Sequence, residues 1–364
     1  MLDPNSDPDR TSPARDRDRP PGVLRWAVVG TSSFALDWVA RAIVDSDRNK
    51  LAAIVSRDEA RAMDAAERLG ATQGTTSLED AMGAGVDAVY ICTPNSLHTE
   101  LTLEALGLGC HVLVEKPMAT TSAECASMIR EAADRGLTLG VGHCMAWAPP
   151  IVAAGQVLAS GELGDPVIAA VSCGFDYPPQ GLWRQEDSSE AGGGPLFDLG
   201  AHAVDALLSL FGPATRVGAS LLRARYSYDA EDTASLFLEF QRGVSATIQV
   251  SFAANMNSLN VECSAGRLSS SEWLGREFAG ELTVSARSAG VGTFPRNRNA
   301  PEERKLQLPV TNVVRSEIDE FSSAILDGAT TRIDAFRGMR TVQVLEGAIR
   351  SSREGVILRL GASQ

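Results

Sequence analysis

From Leu24 to Val141 the chain alternates short strands that are apolar on both faces with segments whose apolar residues recur at helical spacing. The strands read as Trp26 to Val29, Leu51 to Val55, Asp87 to Cys92, His111 to Val114 and Leu137 to Val141. Between them, Phe34 to Val44, Glu59 to Leu69, His98 to Leu108 and Ser122 to Arg135 read as helices. A strand without a polar face must be covered on both sides, and a helix between two such strands is a crossover joining parallel neighbours. The alternation predicts an α/β Rossmann-type parallel sheet, which binds ligands beyond the carboxyl ends of its strands.

Near Trp147 the rhythm changes. A helix near Ile151 to Ala159 and another after Gly192-Gly193-Gly194 precede long strands such as Thr233 to Phe240 and Ala246 to Phe252. Helices near Ser316 to Leu326 and Ala335 to Ser351 close the chain, and Asn297 to Lys305 reads as a polar loop. This predicts a second, α+β domain with a large open, mostly antiparallel sheet. The 364 residues suit two domains, taken as 23–147 and 148–364. Residues 1–22 hold five prolines and no apolar run, and are expected to be a disordered tail.

Composition excludes several classes of function. With 46 acidic against 33 basic side chains the formal charge is −13, which repels nucleic acid. The longest apolar stretch, near Cys144 to Leu158, is broken by Pro149-Pro150 and is too short to span a membrane. Six cysteines without a CxxC pair or a ligand-like spacing predict no metal site, reduced thiols and a cytoplasmic setting. Lysine occurs only at Lys50, Lys116 and Lys305, so the context of each one is informative.

The first strand runs into Gly30-Thr31-Ser32-Ser33-Phe34-Ala35 and a helix, the layout of a dinucleotide-binding turn. Only the first glycine is kept; Ser32 and Ala35 stand where the second and third would be. An ordinary strand-to-helix turn would look much the same, but its place at the start of the folded chain favours the cofactor loop. After the second strand, Ser56-Arg57 offers a hydroxyl and a guanidinium where an NAD site has an acid, which suits the 2′-phosphate of NADP. Asp58 beside it leaves a plain solvated arginine as the other reading.

Thr93-Pro94-Asn95-Ser96-Leu97-His98 and Glu115-Lys116-Pro117 follow the third and fourth strands, where a ligand crevice belongs. Pro195 and Gly212 bound a further helix on which Asp198 and His202 are spaced i, i+4. That spacing predicts a carboxylate hydrogen-bonded to the imidazole, which would fix its tautomer and raise its basicity. A surface Asp–His pair is the plain alternative.

Together these three motifs resemble the glucose–fructose oxidoreductase/inositol dehydrogenase (Gfo/Idh/MocA) family, over about Leu24 to Leu360. The resemblance implies catalytic roles for Lys116, Asp198 and His202. It places Gly30, Ser32, Ser33, Thr93, Asn95, His98 and Glu115 on cofactor-contacting positions, and Arg184 on one suited to substrate. The run His143-Cys144-Met145-Ala146-Trp147 departs from the family by lacking an arginine ahead of the proline. The expected function is NAD(P)-dependent hydride transfer with a small-molecule sugar, polyol or related cyclic alcohol or ketone, NADP being favoured over NAD. Redox-initiated elimination or glycoside cleavage is one rival, and a non-catalytic cofactor-binding regulator another. The open sheet is expected to pair with a copy of itself, giving a homodimer or homotetramer.

Overall fold

The computed structural model describes residues 22–185, 192–286 and 302–361. The tail expected over 1–22 lies outside them except for Gly22, as do residues 297–301 of the expected polar loop.

Six strands, β1 (Leu24–Val29), β2 (Asn49–Val55), β3 (Gln73–Thr75), β4 (Ala88–Ile91), β5 (His111–Glu115) and β6 (Leu139–Gly142), form a parallel sheet in the order β3-β2-β1-β4-β5-β6. Side chains of β1 enter two cores in alternation: Trp26 and Val28 on one face, Ala27 and Val29 on the other. This double burial is why the strand has no polar face. A π-helical stretch Phe34–Ala40 continues as α1 (Arg41–Val44), and α2 (Glu59–Leu69), α3 (Leu78–Ala81), α4 (His98–Gly107) and α5 (Ser122–Arg135) follow. Local chemistry sets their ends: the Asp58 side chain caps α2, a Thr121–Glu124 capping box opens α5, and left-handed Gly70 and Gly136 end the two helices. The strand order reverses between β1 and β4, opening a crevice at their carboxyl ends.

The second half begins with α6 (Pro149–Ser160) and β7 (Pro166–Gly174), then a π-helical turn Leu196–Gly200 that runs into α7 (Ala201–Phe211). β8 (Ala214–Leu222), β9 (Thr233–Phe240), β10 (Ser245–Ser251), β11 (Met256–Cys263) and β12 (Gly266–Ser270) follow. Next come β13 (Glu277–Phe278), β14 (Glu281–Ala286), β15 (Glu302–Gln307), β16 (Thr311–Asn312), α8 (Val313–Asp327), α9 (Ala335–Glu354) and β17 (Leu358–Arg359). Nine strands make one mixed sheet, β15-β14-β12-β11-β7-β10-β9-β8-β17, antiparallel except where β10 meets β7. Alternation sets its two faces: Leu236, Leu238, Ile248, Val250, Leu259 and Val261 point into the core, whereas Ser235, Thr247, Gln249 and Asn260 are exposed. Residues Glu302 to Lys305, read as loop, form the charged edge strand β15, where both faces are wet and no apolar alternation is needed.

The last two long helices return to the first sheet. Phe321 of α8 lies 5.6 Å from the Trp26 ring of β1, and Val141 of β6 donates its N–H to the carbonyl of Ile333 ahead of α9. Arg337 of α9 holds the fully buried Asp205 of α7 in a fork, with Nε 2.5 Å and Nη2 2.6 Å from the two carboxylate oxygens.

Removing one partner from such a pair leaves a charge in a dry site. Arg337→Met is expected to destabilise the protein by about 3–5 kcal/mol in chemical denaturation, and Asp205→Leu in the same chain to restore much of that. An unchanged midpoint for Arg337→Met alone would show that the fork does not stabilise the fold.

Candidate active site

The turn after β1 sits tight against the end of β4. Gly30 has φ +120°, and a Cβ there would lie 2.6 Å from the Cys92 carbonyl oxygen, so only glycine permits the approach. Ser32 Oγ accepts the Ala35 N–H at 3.2 Å, and Ser32 and Ser33 are exposed where a helix start leaves amides without intrahelical acceptors. Across the crevice, Thr93 Oγ1 is buried and has no hydrogen-bond partner. A close-approach glycine, a helix start and an orphaned hydroxyl fit the phosphates and polar edges of a dinucleotide. At the end of β2, Arg57 is exposed, whereas Asp58 Oδ1 accepts from the Arg61 N–H at 3.1 Å and is committed to capping α2.

Three other residues expected at the cofactor also brace the loops. Asn95 Nδ2 donates to the Gly192 carbonyl at 2.7 Å. His98 is fully buried, its Nδ1 2.8 Å from the Pro117 oxygen and its Nε2 3.1 Å from the Thr93 oxygen. Both ring nitrogens lie between the two loops, and the neutral ring, with one N–H, donates to one of the two carbonyls. Glu115 accepts from the Lys116 N–H at 3.1 Å and lies 2.8 Å from the Tyr90 hydroxyl.

Lys116 is the centre of the site. Its Nζ donates to Asp198 Oδ1 and to the Asp198 carbonyl, both at 2.8 Å, with 11% and 18% of the two side chains exposed. Arg184 Nε is 3.7 Å from Asp198 Oδ2. Burial raises the Asp198 carboxyl, but the Lys116 ammonium and the Arg184 guanidinium outweigh it and hold Asp198 well below the usual carboxylate range.

The expected Asp198–His202 hydrogen bond is not formed. The helix opens with the π turn Leu196–Gly200, and the Asp198 carboxylate on it is taken by the Lys116 ammonium. His202 Nδ1 is buried without a partner. Burial and the nearby Lys116 ammonium push its imidazole well below its ordinary value, so the expected rise in basicity is reversed. His143, at the end of β6, is buried with both ring nitrogens unpartnered and its Nδ1 3.9 Å from Asp205 Oδ1. Burial brings it to about 4 although Asp205 pulls the other way.

Several residues of the site escape a motif search. Tyr90 is the one polar side chain in the aliphatic strand Ala88–Ile91, and Glu317 takes an apolar position in the stripe of Val313, Val314, Ile318 and Phe321. Those two breaks in pattern were the available signals. Arg276 gave none; its guanidinium lies 5.2 Å from the Phe34 ring and 5.4 Å from the Trp38 ring of the first helix. Arg332 lies 5.0 Å over the Trp147 ring, in the run after β6 that lacks an arginine.

Comparison with known proteins finds relatives over both halves of the chain. Residues 24–143 match the oxidoreductase family, NAD-binding Rossmann fold, and residues 151–269 match the Gfo/Idh/MocA C-terminal domain. The chain is 32% identical over 306 residues to 1,5-anhydro-D-fructose reductase of Ensifer adhaerens, covering 83% of this chain and 88% of that protein. It is 28% identical over 340 residues to D-xylose 1-dehydrogenase (NADP(+)) 2 of Haloferax volcanii, covering 93% of this chain and 100% of that one. The crystal structure of aldose-aldose oxidoreductase from Caulobacter crescentus complexed with glycerol superposes with a TM-score of 0.82 at 26% identity, over 93% and 100% of the two chains.

The buried histidines give stability a defined pH dependence. His98 and His143 are both pushed down to about 4 by burial, so between there and the ordinary histidine range the unfolded chain binds protons that the folded one does not. Their contribution is complete above about pH 6.5, and falls away as pH drops toward about 4. Unfolding free energy near pH 5 should therefore fall with decreasing pH by about 1.4 kcal/mol per pH unit for each of these histidines. A flat profile across that window in urea titrations would mean that the imidazoles are already charged in the fold.

Proposed function

This chain belongs to the Gfo/Idh/MocA oxidoreductase family, and from that premise we propose that Lys116, Asp198 and His202 move the proton that accompanies hydride transfer at a CH–OH group of a sugar or polyol. The observation that carries this reading is the Lys116 ammonium at the carboxyl edge of the first sheet. Two of its three N–H bonds go to Asp198, which leaves one for a reacting oxygen. A cation so held, and largely removed from water, stabilises negative charge developing on that oxygen without reorganising.

When bound, the nicotinamide accepts or returns the hydride. In the oxidising direction the substrate hydroxyl loses its proton as its carbon gives up the hydride. His202, half-buried beside the Lys116–Asp198 pair and held neutral, is the proposed acceptor of that proton, and in reduction it returns it. Asp198 holds the Lys116 ammonium in place through its carboxylate and its carbonyl. Arg184 stands beside Asp198 as a contact for a further substrate hydroxyl. The relatives named for 1,5-anhydro-D-fructose and D-xylose support a substrate of that class.

Gly30, Ser32, Ser33 and Thr93 are the residues proposed to hold the cofactor, with Ser56 and Arg57 at its ribose. Asp58, which would suit a ribose hydroxyl, is engaged as a helix cap, and this supports NADP over NAD. The exposed small polar face of the nine-stranded sheet supports pairing with a second copy. Six free, buried cysteines support a reducing, cytoplasmic setting.

Two measurements test this assignment. A screen of aldoses and polyols, read by absorbance of the reduced nicotinamide, identifies a substrate; on it Lys116→Met should lower turnover by about 10²-fold or more while leaving cofactor binding intact. Turnover at the wild-type rate in both Lys116→Met and His202→Ala would place the active site elsewhere. Arg57→Ala should weaken NADP binding by about tenfold, as loss of a charge-assisted contact does, and spare NAD. Equal losses for the two cofactors would reduce Arg57 to a structural role.

A further inference from the structure

Behind the Lys116 loop, two carboxyl groups bracket one phenol. The Tyr90 hydroxyl is 2.8 Å from Glu115 Oε1 and 2.7 Å from Glu317 Oε1. A phenol has one proton and donates to one oxygen only. The second contact, at that separation, needs a proton that only a carboxyl can supply.

The surroundings decide which one. Burial raises the Glu115 carboxyl, but the Lys116 ammonium, the Tyr90 hydroxyl, the Lys116 N–H and the Arg184 guanidinium all pull it back toward the charged form, and Glu317 has no such cationic neighbour among the groups acting on it. Glu317 is fully buried, and its Oε2 has no hydrogen-bond partner. Glu115 of β5, Asp205 of α7 and Glu320 of its own helix raise Glu317, the Tyr90 hydrogen bond pulls the other way, and the Cys92 and Cys144 thiols lie nearby. Burial first, and then Glu115, push the Glu317 carboxyl well above the usual range. Gly142 at the end of β6 keeps the space open, since a Cβ there would lie 2.9 Å from Glu115 Oε1 and 3.0 Å from the Tyr90 hydroxyl.

We propose that Glu317 is a positioning residue: it remains a neutral carboxylic acid, donates to Tyr90, and through the Tyr90 hydroxyl aims the Glu115 carboxylate that supports the Lys116 loop. Two protons serve three groups. The Glu317 proton points at the Tyr90 oxygen, and the Tyr90 proton points at Glu115. A leucine would pack with Ile318 and Phe321 at lower desolvation cost, so a carboxyl here answers to the site rather than to the core. The inference rests on the preceding reading only in taking Lys116 as the catalytic cation.

Infrared difference spectroscopy of wild type against Glu317→Gln tests the protonation state without any turnover. At neutral pH the wild type should show the carbonyl stretch of a protonated carboxylic acid, shifted in heavy water and absent from the variant; no such band overturns the proposal. In kinetics, Glu317→Gln keeps a neutral donor and should stay within about threefold of wild type, whereas Glu317→Leu should lower kcat about tenfold with little change in KM. Tyr90→Phe removes a donor from Glu115, so the acid limb of the kcat/KM profile should move to higher pH. A Gln variant as impaired as Leu would mean that a charged carboxylate is required, and a Leu variant equal to wild type would mean that Glu317 positions nothing; either result overturns the proposal. If the Leu variant does not fold, the infrared band and the Gln and Phe variants still decide the matter. Should Lys116→Met retain wild-type turnover, the catalytic reading fails while the infrared result stands by itself.

Discussion

One ion pair, Lys116 with Asp198, joins the carboxyl edge of the parallel sheet to the helix carried by the antiparallel one. Both charges are largely out of water, and such a pair seldom repays its desolvation in stability. Its value lies in geometry. The ammonium is aimed from two directions, by the Asp198 carboxylate and by the Asp198 carbonyl, while the loop beneath it is braced by His98 and Glu115. A cation held this way has little freedom to follow a substrate, so the substrate must come to it.

The fold was legible because its dominant constraint is local in sequence. Strands buried on both faces read as continuous apolar runs, capping residues and terminal glycines bound α2 and α5, and the alternating strands β9 and β10 declare a sheet with one wet face. Elements too short to show a period were missed, as with β3 and α3. The charged strand β15 was missed because a solvated edge leaves no apolar trace.

The site was legible only in part. Lys116, Gly30 and Thr93 stand at strand ends, which the alternation locates directly. The relation between Asp198 and His202 was not readable, because the group that takes the Asp198 carboxylate, Lys116, lies 82 positions away in the chain. The roles of Asn95 and His98 were likewise hidden: their partners, Gly192 and Pro117, are met only in three dimensions. Tyr90 and Glu317 lie 227 positions apart in the chain, beyond the reach of any periodicity.

The return of the closing helices to the first sheet bears on how this architecture can be recombined. Phe321 lies against the Trp26 ring, and Gly338 of α9 passes so close to Val141 that a methyl group would not fit. The unit that would have to be exchanged between related chains is therefore not a contiguous stretch of gene. A graft of the first 147 positions onto a foreign partner would leave Trp26 and Tyr90 facing a helix that evolved against other side chains. In such a chimera the lysine would be present and its motif intact, yet the layer that orients it would come from the wrong parent.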